Sequence, residues 1–390
     1  MSTSLSLPSQ EAALALIVGL VLMLLVRFCS STRRSNIVRR AAFDIGSGAS
    51  KVLVADVDRS GMLVGATLWE AEKPCAFKED TQGTVDGTLS EGIRSKGMAL
   101  ITELAKKARK LGATEACGIA TEVFRTSPNG LEFLSEVERR TRVPISTLSQ
   151  DAEARLGLAT AEALCGGKLK FDAAWDSGGG SFQITAREPG AAVGDAAPIA
   201  TASLRTYVGK LGTGPSFERL VVRVRELRYD AHRSGANVNP VSARDAEKLV
   251  GVLVREMPAP PAWLRGAHVV AIGAFNSIFA VTLRALRLFV VGGQAAANTV
   301  TRPGEEGLSG NGTLTIGEAR AALVAVTGRT DDELADVAGH GPDAEGAHLV
   351  APKVALLVAV ASHLRIERIS YRRSVGGCAG LMALGEFVPL

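Results

Sequence analysis

A strand–turn–strand unit that occurs twice constrains this chain more than any other feature. The first copy reads AFDIGSG at 42–48 and the second AWDSGGGS at 174–181. In each copy a strand-like run ends in an aspartate, and a glycine-rich turn and a second strand follow. Glycines let backbone N–H groups approach phosphate oxygens, and an aspartate at a strand end can hold a hydrated Mg²⁺ ion. Either unit alone is typical of an ordinary β-hairpin, but the pair predicts two facing phosphate-binding turns.

Around these units the chain alternates between short β-branched runs and segments of helical periodicity, which is typical of an α/β fold. The predicted strands are 41–43, 51–56, 116–120, 145–148, 173–175, 182–185 and 269–272. The predicted helices are a segment between Ser90 and Gly112, then 131–140, 152–164, 216–228, 242–257, 317–326, 331–338 and 354–364. Of the 390 residues, 46% are hydrophobic, which is enough to bury two or three cores.

Cysteine, histidine and charge content exclude several classes of protein. Five cysteines stand singly along the chain, which indicates reduced thiols, and five histidines show no metal-ligand spacing. The sequence contains no Walker-type phosphate loop and no HExxH or CxxC motif. The formal charge of +4 comes largely from arginines between 27 and 40. The rest of the chain is close to neutral, so composition indicates no specific nucleic-acid partner.

The N-terminal region contains an uncharged apolar run, AALALIVGLVLMLLV at 12–26, which arginines follow. Because the positive charge comes after this run, the positive-inside rule favours a signal anchor with the C-terminal domain in the cytosol. We predict a single-pass transmembrane helix over 12–28, between a polar tail at 1–11 and a basic linker at 29–40. The run is shorter than the roughly 17–25 residues of a spanning helix. A cleaved targeting segment and a peripheral or buried helix therefore stay open, as does the identity of the membrane.

Two polar segments between the repeated units carry candidate catalytic groups. Arg125 follows a predicted strand and precedes a helix, a position from which a guanidinium can bind a terminal phosphate through two N–H groups. Asp151 and Glu153 lie where a strand runs into a helix N-terminus. The helix dipole alone accounts for acidic residues there, so local sequence leaves capping and catalysis as alternatives.

Taken in order, these motifs resemble the exopolyphosphatase and guanosine pentaphosphate phosphohydrolase (Ppx/GppA) family of the actin-like ATPase superfamily. The resemblance runs from about Ala41 to the C-terminus. It rests on Asp44-Ile45-Gly46-Ser47, on Thr121, Arg125, Asn129 and Phe133, on Glu153-Ala154-Arg155-Leu156, on Asp176 with Gly178-Gly179-Gly180-Ser181, on Ser203-Leu204 with Gly209, on Val270-Ala271-Ile272-Gly273, and on 369–384. It implies an α/β fold of two ribonuclease-H-like (actin-like ATPase) domains facing a cleft. The implied domains are 41–165 with a C-terminal helix at 372–390, and 166–371.

The resemblance also implies roles for individual residues. The general base falls on Glu153, the phosphate-anchoring arginine on Arg125 and the metal-associated aspartate on Asp176, with Mg²⁺ as the cofactor. The implied phosphate-binding residues are Asp44, Gly46, Ser47, Gly48, Gly178, Gly179, Gly180, Ser181 and Gly273. The implied reaction is water attack on the terminal phosphorus of inorganic polyphosphate or guanosine pentaphosphate, which releases orthophosphate. Relatives often dimerise, which leaves a homodimer open.

Three turns depart from the family pattern. Gly48 and Ala49 stand where the family has an asparagine and a hydroxyl residue, Gln183 stands where it has a carboxylate, and Phe275 adds bulk to a later turn. An amide is a weaker ligand than a carboxylate for a hard cation. Two hypotheses of function follow: a membrane-anchored phosphohydrolase, and a catalytically weak or inactive relative that binds a polyanion or serves as a scaffold. A kinase of the same superfamily is a third.

Overall fold

The computed structural model describes residues 37–58, 62–167, 169–189, 202–227, 238–291, 311–339 and 346–390. The predicted tail at 1–11, the predicted transmembrane segment at 12–28 and most of the predicted linker lie outside the described residues. The described chain forms two α/β domains, each built on a six-stranded sheet.

The first domain contains a mixed sheet with helices on both faces. Its strands are β1 (Val38–Ile45), β2 (Ala49–Val57), β3 (Trp69–Pro74), β4 (Glu115–Ala120), β5 (Ile145–Thr147) and β12 (Val388–Pro389). The strand order is β12-β4-β1-β2-β3, and β5 pairs with β4. Its helices are α1 (Phe77–Gly83), α2 (Glu91–Lys110), α3 (Glu122–Thr126), α4 (Gly130–Thr141) and, near the C-terminus, α12 (Cys378–Leu384). The last strand therefore returns the chain to the sheet where the described residues began.

The second domain has the larger core. Its strands are β6 (Ala173–Ser177), β7 (Phe182–Arg187), β8 (Leu204–Gly209), β9 (His268–Gly273), β10 (Gly312–Thr315) and β11 (Arg368–Arg373), in the order β10-β11-β9-β6-β7-β8. Its helices are α6 (Thr213–Arg219), α7 (Ala243–Glu256), α8 (Ile278–Val291), α9 (Ile316–Val326), α10 (Asp331–Ala338) and α11 (Val350–Leu364). Within the described chain, the helical segment Ala347–Leu364 alone is long and apolar enough to cross a membrane. It is mostly buried in this core, as expected of a core helix.

One helix, α5 (Gln150–Cys165), lies between the two domains and contacts both the second sheet and α12 of the first domain. Leu156 packs with the buried residues of the first sheet and α12, whereas Leu158 and Ala161 pack with Ala174 and Val270 of the second sheet. Burial of apolar side chains on two sides fixes this helix to both domains. Its N-terminus is consequently held at the junction between them.

Local sequence signals account for the clearest elements. The Ser90 hydroxyl accepts a hydrogen bond from the N–H of Ile93 at 3.2 Å, which confirms the predicted cap of α2. The structure differs at 216–228, where α6 is followed by a wider helical turn, Leu220–Val224, in place of a continuous α-helix.

The first strand begins at Val38, so two arginines assigned to the linker lie in β1. Arg39 pairs with Asp56 and Arg40 pairs with Glu115, each at 2.8 Å.

The parallel strands bring the carboxyl ends of both sheets to one place. In the first domain β1, β4 and β5 run parallel, and in the second β6, β9 and β11 do. An ion pair between Arg373 of β11 and Glu70 of β3 joins the two domains here, and in the segment that follows β11 the N–H of Gly377 donates to Asp44 Oδ2 at 2.8 Å. In open α/β sheets, ligands bind at the carboxyl ends of the strands. This junction is therefore the expected position of the functional site.

Candidate active site

The repeated units predicted from the sequence are matching turns in the structure. The N–H of Gly46 donates to the carbonyl of Ala49 at 2.8 Å, and the N–H of Gly178 donates to that of Ser181 at 2.9 Å. The two central residues of each turn are at least partly exposed, and their amides donate to no acceptor among the described residues. Free amides on a tight turn form a concavity that suits phosphate oxygens. Both turns can therefore bind phosphate.

The two aspartates occupy equivalent places in their hairpins, but their cross-strand partners differ. Asp44 is paired in register with Lys51 across β1 and β2, and Asp176 is paired with Gln183 across β6 and β7. Residues directly opposite on antiparallel strands project from the same face of the sheet. The departure from the family pattern at Gln183 thus places a neutral amide beside Asp176.

Asp44 is a buried carboxylate that is only partly satisfied. Its side chain is 6% exposed, and Oδ2 accepts the hydrogen bond from Gly377. Its other oxygen, Oδ1, is buried and has no hydrogen-bond partner. A buried acceptor without a donor is rare and requires an explanation such as a bound ion or water.

Asp176 and Lys51 complete the charged centre. Burial raises the pKa of Asp176 to about 6, the ammonium of Lys51 opposes this shift, and the carboxylate of Asp44 adds to it. Burial lowers the pKa of Lys51, but the carboxylates of Asp44, Glu72 and Asp176 more than offset that effect, so its pKa lies above the usual range. The site thus gathers two carboxylates from facing sheets around one lysine.

These two carboxylates fit a divalent cation that keeps most of its own ligands. Mg²⁺ is commonly held by one or two carboxylates together with water and substrate phosphates. Asp44 and Asp176 supply that number, and the unpaired Oδ1 of Asp44 is a free oxygen ligand. Within the described parts of the chain, no three His, Cys, Asp or Glu residues come together as a metal cage.

Glu153 lies in the first turn of α5 and faces this centre. The Ser149 hydroxyl accepts from the N–H of Ala152 and caps the helix, so Glu153 is not the capping residue. Its Oε1 lies 3.1 Å from Arg125 Nη1, and both side chains are about 30% exposed. Burial raises the pKa of Glu153, Arg125 lowers it, and the carboxylates of Asp176, Glu122 and Asp44 raise it further. A carboxylate whose pKa is raised above its usual range is better suited to accept a proton from water.

Asn129, Phe133 and Thr121, which also carry the family resemblance, stabilise the structure around the site and are not among its charged groups. Asn129 bonds both backbone groups of Leu89 at 2.8 and 2.9 Å and so fixes the loop before α4. Phe133 is fully buried in the core under α2. The Thr121 hydroxyl lies 3.3 Å from the hydroxyl of Ser47, which ties the end of β4 to the first turn.

The residues of the turn that follows β9 make their contacts within the second domain. The carbonyl of Gly273 accepts hydrogen bonds from the Tyr371 hydroxyl and the Ser374 N–H, both at 2.9 Å. The ring of Phe275 stacks on the guanidinium of Arg284, 4.3 Å from the ring centroid, and it remains 49% exposed. These contacts give Gly273 a structural role and direct Phe275 toward Arg284.

Sequence reasoning did not select two lysines that lie in the site, Lys51 and Lys78. The strand alternation offered a signal for Lys51, because its register with Asp44 places the two side chains on one face. Lys78 carried no such signal, because its position depends on how α1 folds against the turns.

Comparisons with known proteins show which sequences and folds this chain is similar to. Residues 75–196 match the model of the Ppx/GppA phosphatase family. An uncharacterised protein of Streptomyces coelicolor is 26% identical over 232 residues, which cover 57% of this chain and 67% of that protein. Exopolyphosphatase 1 of Mycobacterium tuberculosis is 27% identical over 148 residues, which cover 38% of this chain and 42% of that enzyme. The chain thus matches less than half the length of that exopolyphosphatase.

Solved structures give the same fold. The Ppx/GppA family member of Aquifex aeolicus superposes with a TM-score of 0.62 at 16% identity and covers 89% of this chain and 97% of its own. An exopolyphosphatase of Cytophaga hutchinsonii gives a TM-score of 0.60 at 11% identity, with 88% and 96% covered. The two sheets with paired turns therefore have the two-domain fold of these Ppx/GppA structures. The family match over residues 75–196, the similarity to exopolyphosphatase 1 and the shared fold together support the resemblance to the Ppx/GppA phosphatase family.

Proposed function

We propose that this chain is a phosphohydrolase that releases terminal orthophosphate from inorganic polyphosphate or guanosine pentaphosphate. One observation carries the proposal: the Glu153–Arg125 pair, at 3.1 Å, faces the Asp44 and Asp176 carboxylates between the two glycine-rich turns. A base, a phosphate-binding cation and two sets of free amides are the parts that phosphoryl transfer to water requires.

In the proposed reaction, the free amides of both turns and the Arg125 guanidinium hold the terminal phosphoryl group. Glu153 orients a water molecule and accepts its proton as the water oxygen attacks phosphorus. The bond between phosphorus and the bridging oxygen breaks, and the electron pair leaves with the shortened chain. Arg125 both binds phosphate and restrains the pKa of Glu153, so it has to release Glu153 partly when substrate arrives.

Mg²⁺ is the proposed cofactor, with Asp44 and Asp176 as its protein ligands. When bound, the ion would supply positive charge to the phosphate oxygens. The ammonium of Lys51, next to both aspartates, offsets part of their combined negative charge when no ion is bound.

We also propose that residues 12–28 anchor the chain in a membrane with the catalytic domains in the cytosol. The support is the uncharged apolar run and the arginines that follow it. Cleavage by protease added to the cytosolic side of sealed membranes, and protection from protease on the other side, would agree with this orientation. Recovery of the intact chain in a carbonate-washed soluble fraction would contradict it.

The deciding experiment measures phosphate release by the full chain in detergent with Mg²⁺ or Mn²⁺. The substrates are tripolyphosphate, long-chain polyphosphate and guanosine pentaphosphate. Glu153→Gln should abolish release, because the amide cannot accept a proton. Glu138→Gln on the exposed face of α4 is the matched control and should leave the rate unchanged. Absence of release from folded wild-type protein on every substrate would refute the hydrolase.

A second candidate function is supported by Gln183. Its neutral amide lies opposite Asp176, so the centre has one negative charge fewer than a carboxylate there would give. If this loss prevents productive metal binding, the chain would bind a polyanion without cleaving it. Tight binding of tripolyphosphate without phosphate release is the result expected for that function.

A further inference from the structure

Helix α1 and the residue Cys75 that precedes it contact the first glycine-rich turn through their backbone. The N–H of Lys78 donates to the carbonyl of Ser47 at 3.0 Å, and the N–H of Cys75 donates to the carbonyl of Gly48 at 2.9 Å. The carbonyl groups of this turn are therefore directed at α1. These main-chain contacts fix the position of Lys78 and need no charge on its side chain.

The side chain of Lys78 extends from α1 to the second turn. A methyl group placed on Gly180 would lie 3.9 Å from Lys78 Nζ, so the ammonium is next to the centre of that turn. Nζ is also 3.6 Å from Glu122 Oε2, and the lysine side chain remains 51% exposed. One residue thus joins the first turn by its backbone and reaches the second turn by its ammonium group.

The charged groups around Lys78 indicate the function of its ammonium group. Four carboxylates, those of Glu122, Glu153, Asp44 and Asp176, interact electrostatically in the site. They face three cations from the first domain, Arg125, Lys51 and Lys78. Arg125 is paired with Glu153, and Lys51 lies among the aspartates. Lys78, at 51% exposed, is more accessible than Arg125, at 31%, and its long contact with Glu122 is weak enough to be exchanged.

We propose that Lys78 is a substrate-binding residue that holds the phosphate next to the terminal one. Because its ammonium group lies between the two turns, Lys78 supplies part of the hydrogen-bond donors that the family has at the positions of Gly48 and Ala49. The ligand class is a linear phosphoanhydride, whose second phosphate follows the first along the line between the turns. This inference rests on the proposed function for its substrate, but it concerns binding and can be tested without turnover.

The test measures binding of tripolyphosphate with Mg²⁺ by titration calorimetry, using the full-length Glu153→Gln protein to prevent cleavage. In that background Lys78→Met should weaken binding about tenfold, the size expected for loss of one charge-assisted hydrogen bond. Its affinity should also depend less steeply on salt, because one ionic contact is missing. Lys78→Arg should restore most of the affinity. Lys110→Met, a matched change at the exposed end of α2, should have no effect.

Glu122→Gln provides a second measurement with the opposite sign. It removes the carboxylate that competes for Lys78, so tripolyphosphate binding should strengthen by a few fold, which structural damage would not produce. Unchanged affinity in both Lys78→Met and Glu122→Gln would overturn the proposal, as would failure of the Glu153→Gln protein to bind any oligophosphate. Binding that depends on Lys78 in a wild-type protein that releases no phosphate would refute the hydrolase and leave the role of Lys78 intact.

Discussion

A methyl group at Gly212 should displace the second glycine-rich turn, which we propose binds phosphate. Gly212 precedes α6, and an added Cβ would lie 2.5 Å from the carbonyl carbon and oxygen of Gly179 and 2.6 Å from the nitrogen of Gly180. Ordinary contact begins at 3.4 Å, so the turn or the helix has to move by about 0.9 Å. The backbone of Gly212 has a φ of −133°, which alanine adopts without strain. The effect is therefore displacement of the turn.

Such displacement should be costly for catalysis. A shift of about 1 Å in a positioning group can lower a rate on the order of a hundredfold, and overpacking costs about 1–3 kcal/mol of stability. We expect Gly212→Ala to remain folded and to release phosphate from tripolyphosphate about a hundred times more slowly than the wild type. The assay is phosphate release at a temperature well below the unfolding midpoint of each protein, measured separately.

Gly214→Ala, two residues further on and inside α6, is a matched control. Its added methyl would lie 3.4 Å from the carbonyl oxygen of Gly179, at the limit of ordinary contact. Alanine is also the better helix former, by up to about 1 kcal/mol. This variant should keep wild-type activity. Equal rates for Gly212→Ala and the wild type would refute the reasoning, because the turn would then have no part in holding the reacting phosphate.

Three further predictions concern the charged centre. Gln183→Glu should tighten Mn²⁺ binding, measured by calorimetry, because it adds a carboxylate opposite Asp176; unchanged affinity would separate Gln183 from the metal site. Arg125→Met should move the acid limb of the kcat/KM profile to higher pH, because Arg125 lowers the pKa of Glu153; a limb that stays in place would exclude Glu153 as the base. Asp176 has a folded-state pKa of about 6 against about 3.9 in an unfolded chain, so its ionisation destabilises the fold above pH 6 by up to about 3 kcal/mol and not below pH 4. Asp176→Asn should therefore unfold at a higher temperature than the wild type at pH 8 without divalent cations, and this difference should disappear at pH 4; a difference independent of pH would contradict the assigned pKa.

Features set by short stretches of chain were predictable. The two hairpins follow from local signals, since an aspartate before a glycine-rich turn determines the turn whatever lies elsewhere. The cap at Ser90 is equally local. The placement of Glu153 at the start of α5 was also predictable, although only the structure, through the cap at Ser149 and the contact with Arg125, distinguishes it from a capping residue.

Features set by contacts distant in sequence were not predictable. The hydrogen bond from Gly377 to Asp44 joins residues at opposite ends of the folded region, and no local pattern indicates it. The direction of Phe275 depends on Arg284 of the following helix. Edge strands such as β3, with the polar sequence WEAEKP, lack the apolar alternation that marks a strand, because only part of their surface is buried.

The segment that follows β11 both connects the two domains and contacts the Asp44 carboxylate. The backbone leaves the first domain after α5 and returns to it between β11 and α12, so these two crossings are the pivots about which the domains can turn. Gly376, at the second pivot, has a φ of +56°, and a side chain there would overlap the Asp44 carboxylate. Its neighbour Gly377 donates to that carboxylate. We therefore expect a rotation of one domain against the other to act on Asp44, and mutations that stiffen the pivot to change the ligand preference of an aspartate more than 300 residues away in sequence.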